Sequence, residues 1–380
     1  MNDSHENPRQ VALRALLRID GGERSGPVLA DELGTASLDQ RDRAFVTNLV
    51  QGTTRMQRAC DYLLEPHLKR RPDDTVRQLL RVGVFQMVWL NTPPHAAVSA
   101  TVEAGPRRAS GFVNAVLRKV AAGLPYGHST WPSPAVELSY PDWIVQRLTN
   151  DLGSDAIAAL RSMNDAERPG PRADGFVQGL ASRWVVDEVD VSSGDLVADV
   201  CAAPGGKSTG LAAAGATVVA GEIADARIDV LASTLAQYGQ NKVMAVRTDA
   251  GKPPFRPAAF DRVLIDAPCS GLGALGRRSD ARWRARSRDV ARLAAVQRRL
   301  LAASAELVKP GGVLVFAVCT VTSDETAGVI DNFSDARFEP VPLVYADRWR
   351  PLGERSNAGL LLPQDRGTDG MAVVRWQRTS

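Results

Sequence analysis

Histidine and cysteine are both scarce in this 380-residue chain, four of each, and their placement excludes several chemistries. The histidines are His5, His67, His95 and His128, so nothing beyond residue 128 can supply an imidazole base or ligand. That argues against a Ser-His-Asp hydrolase or a His-bound metal in the C-terminal part. Proton transfer there falls to carboxylates, thiols, lysine, tyrosine or water. Cys60, Cys201, Cys269 and Cys319 are too scattered for a disulfide framework and lack the paired spacing of metal ligands. A reduced, cytoplasmic setting without a metal is expected. No apolar stretch reaches the roughly 20 residues a membrane helix needs. The opening MNDSHENPRQVALRALLRID is charged at intervals, so neither a signal peptide nor a membrane partner is expected.

With 44% hydrophobic and 23% charged residues, the composition is that of an ordinary globular protein long enough for two or three domains. The net charge is only +3, but nine arginines lie between Arg277 and Arg299 against Asp280 and Asp289. Such a run is either a solvated helix face or, beside an active-site loop, a phosphate-contacting surface.

Residues 8–123 read as helices with short breaks. Pro8 suits a helix start, Ser37-Leu38-Asp39-Gln40 has capping-box form, and Pro93-Pro94 end the apolar run VRQLLRVGVFQMVWL. The proline-rich stretch 125–142 reads as a linker, followed by a helical segment, WIVQRLTNDLGSDAIAALRSMN. From about residue 176, short β-rich runs (LVADV, TVVAGEI, KVMAVRT, DRVLIDA, GVLVFAV) alternate with helical stretches, which implies a mostly parallel, doubly wound sheet. The final MAVVRWQR reads as a late edge strand.

The segment DVCAAPGGKSTG at 199–210 is not a phosphate loop, because Cys201 stands where the first glycine of that motif belongs. Adjacent Gly205 and Gly206 also break the dinucleotide pattern. What survives is strand, glycine turn, helix, at the edge where parallel sheets bind ligands. The next strands end in Glu222, Asp249 and Asp266; an acid at Glu222 can accept ribose hydroxyls. Cys269 and Cys319 follow the fourth and fifth strands, on the same edge. A lone cysteine is usually inert, and Cys60 and Cys201 read as packing. Two thiols beside a crevice for a nucleoside point to chemistry.

DVCAAPGGK, DAPCSGLG and AVCT, in that order, resemble the RNA cytosine-5 methyltransferases of the Sun/NOL family, in the bacterial small-subunit ribosomal RNA methyltransferase B branch. QRDRAFVTNLVQGTTR, LRVGVFQMVWL and GFVNAVLRK are similar to its NusB-like RNA-binding domain. The resemblance implies an all-α NusB-like domain over 1–125, a linker and helical connection over 126–175, and an α/β Rossmann-like methyltransferase domain with a mostly parallel sheet over 176–380. It implies that Cys201, Ala202, Ala203, Pro204, Gly205, Gly206 and Lys207 line an S-adenosylmethionine site. Glu222 would hold the ribose, Asp249 the adenine, and Asp266 would stand near the methionyl group and the target base. Cys319 matches the nucleophile and Cys269 the thiol that helps release product.

The implied reaction is methylation of carbon 5 of a cytosine in ribosomal RNA, that of the small subunit (16S), through a covalent cysteine–RNA intermediate. A monomer acting on RNA or on a small-subunit assembly particle is the expected state. The same chemistry on transfer RNA or another RNA, and an RNA-binding assembly factor without turnover, are the alternatives. Three features depart from the family pattern. Val318 and Thr320 flank Cys319 in place of Thr and Ser; Gln364 and Arg366 stand where histidine is common; and the stretch between SMNDAERPGPR and GFVQG is shorter by several tens of residues, where relatives place much of a small RNA-contacting subdomain.

Overall fold

The computed structural model describes residues 6–123, 131–165 and 169–380. His5, His128 and residues 125–130 of the proline-rich stretch lie outside them. The chain packs as two compact units: residues up to Val145 together with Arg277–Arg284, and Gln146–Gly276 together with Ala285–Ser380.

The first unit is helical, with helices Pro8–Asp20, Ser25–Thr35, Gln40–Arg55, Gln57–Leu64, Asp74–Val88, Pro94–Ala104 and Ser110–Gly123. Their starts follow from local hydrogen bonding. Asn7 accepts from the Arg9 amide at 2.9 Å with Pro8 at the first helical position, and Asp73 accepts from Val76 N at 2.9 Å. The third helix is capped by Asp39, which accepts from Asp42 N at 2.7 Å, two residues beyond the expected Ser37. Each such cap contributes about 1 kcal/mol. Pro93-Pro94 open the helix Pro94–Ala104; the preceding helix has already stopped at Val88. That helix, Asp74–Val88, is the centre of the unit and buries Leu79, Leu80, Val82, Val84 and Phe85. The Phe85 ring lies so close to Gly52 that a methyl group there would sit 2.0 Å from it, so only glycine permits the approach. Cys60 is fully buried in this core, and burial pushes its thiol well above the ordinary range.

The first part of the arginine run belongs to this helical unit. Arg282 is completely buried, its guanidinium 3.8 Å from the Tyr140 ring centroid and donating to Ser139 O at 3.2 Å. Burial lowers its pKa to about 10. Trp283 donates from Nε1 to Thr54 O at 2.7 Å, and buried Asp280 accepts from Ser25 Oγ at 2.6 Å and from Arg284 at 2.6 Å. These contacts are packing, whereas Arg286, Arg288, Arg292, Arg298 and Arg299 are exposed on or beside the helix Ser287–Ala305.

The second unit is built on a nine-stranded sheet: β1 Leu196–Asp199, β2 Thr217–Glu222, β3 Val243–Arg247, β4 Phe260–Asp266, β5 Val308–Val318, β6 Phe338–Pro340, β7 Arg350–Leu352, β8 Arg355–Leu361 and β9 Met371–Arg378. The order is β3-β2-β1-β4-β5-β9-β8-β7, with β6 pairing β9. Strands β1 to β5 are parallel, so their carboxyl ends share one edge. The run MAVVRWQR is an interior strand, contrary to the expected edge: β9 lies antiparallel between β5 and β8. Both its faces are covered, which a strand needs when six successive residues from Met371 to Trp376 are buried.

Alternation along β5 shows the two layers. Leu314, Phe316 and Val318 pack with Ala294, Leu300 and Leu301 of the helix Ser287–Ala305, while Val313, Val315 and Ala317 pack with Val185 and Val189 of the helix Leu180–Val189. The result is an all-α region and a Rossmann-like, mostly parallel sheet, as expected. No helix among the described residues is long and apolar enough to cross a membrane.

Replacing Arg282 by Ala removes the donor to Ser139 and opens a cavity beside Tyr140. The expected cost is about 3 kcal/mol in urea denaturation, against less than about 0.5 kcal/mol for Arg286→Gln. An unchanged midpoint for Arg282→Ala would reject the packing role.

Candidate active site

The carboxyl ends of the five parallel strands and the loops that follow them carry the polar groups. The first leaves β1 through Val200–Pro204 to Gly205, whose φ of 108° is left-handed and suits glycine. Ala202 donates from its amide to Gly221 O at 2.8 Å, which holds the turn against β2. Ala202 and Ala203 are buried against Ala220 and Leu231, and Pro204 is exposed. Cys201 packs beneath the turn, and burial pushes its thiol well above the ordinary range. The helix Gly206–Ala213 then begins, with Arg172 donating to Gly206 O at 2.7 Å and to Thr209 Oγ1 at 2.9 Å.

The acids differ in their surroundings. Glu222 is only 4% exposed; its Oε1 accepts from the Ile223 and Ala224 amides, both at 3.0 Å, and Arg227 Nε approaches Oε2 at 3.4 Å. Arg227 also donates to Ala203 O at 2.5 Å, so one side chain links the glycine turn to the end of β2. Asp249, two residues past β3, accepts from Gly251 N at 2.8 Å. No hydrogen bond joins it to the other candidate residues among those described. Asp266 ends β4 and pairs with buried Lys207, Nζ to Oδ2 2.6 Å.

Beyond Asp266 the two thiols meet. Cys269 Sγ lies 3.3 Å from Cys319 Sγ, because parallel β4 and β5 set Asp266 opposite Ala317 and both loops leave the sheet side by side. The Cys319 sulfur first, then burial, push the Cys269 thiol well above its ordinary pKa, and the Glu325 and Asp266 carboxylates add to the shift. Two thiols this close cannot both ionise, so the pair keeps a proton.

Sequence reasoning missed Arg172, Arg227, Glu325 and the buried Asp199–Ser208 pair, in which Ser208 Oγ donates to Asp199 Oδ2 at 2.6 Å. The spacing of Arg227, five residues past Glu222, was an available signal; Arg172 and Glu325 are brought in by tertiary packing. Gln364 donates to Asp155 Oδ1 at 3.1 Å and Arg366 is exposed; among the described residues no hydrogen bond joins either to the thiols.

The profile of the family described as 16S rRNA methyltransferase RsmB/F matches residues 188–377, and that of the NusB family matches residues 6–122. The chain belongs to the RsmB/F family. It is 34% identical to the ribosomal RNA small subunit methyltransferase B of Thermus thermophilus over 88% of this chain and 90% of that one. The protein of the same name from Yersinia enterocolitica is 27% identical over 97% and 98% of the two chains. That alignment runs over 430 positions, more than the 380 residues here, so the relative carries segments with no counterpart in this chain. In fold, the crystal structure of PH0851 matches with a TM-score of 0.78 at 20% identity over 98% and 99% of the chains. NSun6 from Pyrococcus horikoshii matches with a TM-score of 0.50 at 24% identity over 54% and 53% of the chains.

RsmB/F membership makes this protein an S-adenosylmethionine-dependent methyltransferase. The crevice fits such a cofactor chemically. Asp199 Oδ1 is buried with no hydrogen-bond partner among the described residues, and carboxylates line the edge where a glycine turn brings the backbone forward. These are acceptors for an ammonium group and for ribose hydroxyls.

Burial raises the Asp199 pKa to about 6, against the Ser208 hydrogen bond, which lowers it. The folded value lies above the unfolded one of about 3.9, so this group stabilises the fold fully below pH of about 4 and the contribution is lost as pH rises through about 6. Asp199→Asn is neutral at every pH. Relative to it, the wild type should lose about 1.3 kcal/mol between pH 5 and pH 7 in urea denaturation. Parallel stability profiles for the two proteins would contradict the shift.

Proposed function

We propose that the protein methylates carbon 5 of a cytosine in ribosomal RNA of the small subunit, with Cys319 as nucleophile and Cys269 as the group that releases product. The observation that supports this reading most is the 3.3 Å approach of the two sulfurs beside the Lys207–Asp266 pair. The names of the relatives, ribosomal RNA small subunit methyltransferase B, support the substrate.

Carbon 5 of cytosine is too electron-poor to attack a methyl sulfonium. Thiolate addition at carbon 6 removes that obstacle by making an enamine. The attacking species is the thiolate of Cys319, and Cys269 keeps its proton while that charge stands beside it. Once Cys319 is bonded to carbon 6, its charge no longer opposes ionisation of Cys269, whose proton departs to solvent. S-adenosylmethionine supplies the electrophilic methyl group. Cys269 as thiolate then takes the carbon-5 proton, the carbon–sulfur bond breaks, and Cys319 leaves as thiolate. The resting state is restored, and one proton has been released per turnover.

Asp266 accepts a hydrogen bond from the amino group of the ring, and Lys207, paired with it, supplies the positive charge that offsets the negative charge built up during addition. Glu222 and Asp249 bind the ribose and adenine of the cofactor; Cys201 to Gly206 form the turn beneath it. The NusB-like helices and the exposed arginines contact RNA.

RNA carrying 5-fluorocytosine should form a covalent adduct with Cys319, since fluorine cannot leave as a proton does. Cys319→Ala should abolish methyl transfer while S-adenosylmethionine still binds, and Cys269→Ala should leave a slow-migrating protein–RNA band with unmodified RNA. An adduct mapped by mass spectrometry to Cys269 would reverse the assignment.

Arg286→Gln with Arg288→Gln should flatten the log–log salt dependence of RNA binding by up to about 1.4 units, at about 0.7 per single-strand phosphate. Cofactor affinity should stay unchanged. An unaltered slope would identify these arginines as solvated side chains only.

A further inference from the structure

Glu325 is completely buried in the turn Ser323–Glu325, six residues past Cys319, and five hydrogen bonds converge on its carboxylate. Ser270 N donates to Oε1 at 2.8 Å and Gln297 Nε2 at 3.0 Å. Ser270 Oγ, Thr322 Oγ1 and Thr320 Oγ1 approach Oε2 at 2.5, 2.9 and 3.2 Å. No lysine or arginine among the described residues forms an ion pair with it.

The donors are not scattered. Ser270 follows Cys269 directly and Thr320 follows Cys319 directly, so one carboxylate holds the residue next to each sulfur. Gln297 also donates to Pro268 O at 2.9 Å, fixing the residue before Cys269. Two further links join the loops directly: Ser270 Oγ lies 3.0 Å from Thr320 Oγ1, and the Gly273 amide donates to Cys319 O at 3.2 Å. A buried carboxylate is costly to desolvate unless its acceptor sites are filled. Here they are filled by both thiol-bearing loops, so displacing either loop would strip the charge of its donors. Loop geometry is thereby tied to a large energetic term.

We propose that Glu325 is a positioning residue for the thiol pair: it clamps the loop after Cys269 to the loop after Cys319 and so sets the sulfur–sulfur separation on which product release depends. The proposal rests on the reading of Cys319 as nucleophile and Cys269 as releasing thiol. The carboxylate has a second effect, because its charge faces Cys269 together with Asp266 and the Cys319 sulfur, and all three favour the protonated thiol.

The test compares full-length wild type, Glu325→Ala and Glu325→Gln. The first readout is closure of a Cys269–Cys319 disulfide by diamide, which accepts the two electrons and two protons; peptide mass spectrometry of unreduced digests follows it without RNA. Closure should be about tenfold slower in Glu325→Ala. The second is the pH midpoint of Cys269 alkylation, which should fall in Glu325→Gln because a negative charge is lost, an effect that packing alone would not produce. The third is turnover: kcat should fall about tenfold with KM for RNA little changed, and the covalent protein–RNA band should accumulate as in Cys269→Ala.

Wild-type closure rate, alkylation midpoint and turnover in Glu325→Gln would overturn the proposal, and this variant carries the test if Glu325→Ala does not fold. Slowed closure and a shifted midpoint, with the 5-fluorocytosine adduct off Cys319, would support the clamp and reject the catalytic assignment instead.

Discussion

The parallel pairing of β4 with β5 is the constraint on which the site depends. Val263, Leu264, Ile265 and Asp266 lie opposite Leu314, Val315, Phe316 and Ala317 in continuous register. That register brings two loops far apart in sequence off the sheet together, one three residues and the other two residues from its last paired position. The strands are buried on both faces, so a slip of one residue would turn Leu314 and Phe316 away from one helical layer and into the other. Sulfur–sulfur contact is a consequence of core packing.

Charged side chains around this register tie the edge together. Lys207 and Asp266 neutralise one another across two loops, and Glu325 is held by neutral donors from both thiol loops and from the helix Ser287–Ala305. Asp199 is different: one oxygen accepts from Ser208 and the other has no hydrogen-bond partner among the described residues. A group left short of hydrogen bonds at the binding edge stores a penalty that a ligand can relieve. Carboxylates on the same edge thus differ in how fully their oxygens are satisfied.

The arginine run shows how one compositional feature divides. Its members are alike in sequence, yet Arg282 is completely buried against Tyr140, while Arg286 and Arg288 stand in solvent. The short helix Ala281–Arg284 turns Arg282 inward, and the helix that follows keeps Arg288 and Arg292 on its outer side. A net charge count over such a segment therefore overstates the charge available to RNA.

Sequence alone determined the alternation of strands and helices, the helical character of residues 8–123, and the glycine turn, because these rest on periodicity and on short-range backbone preferences. It also placed Glu222, Asp249, Asp266, Cys269 and Cys319 after strands, and the parallel sheet then set those strand ends along one edge. Partnership was decided only by the tertiary structure. Nothing within a few residues of Glu325 announces that Ser270 and Gln297 will donate to it, and nothing near Arg282 announces Tyr140. MAVVRWQR reads as an edge strand until β8 and β7 add themselves beyond it, a long-range pairing with no local signal. Local chemistry specifies which groups can act; burial and hydrogen-bond satisfaction, which depend on residues distant in the chain, decide which of them are bound, paired or free to react.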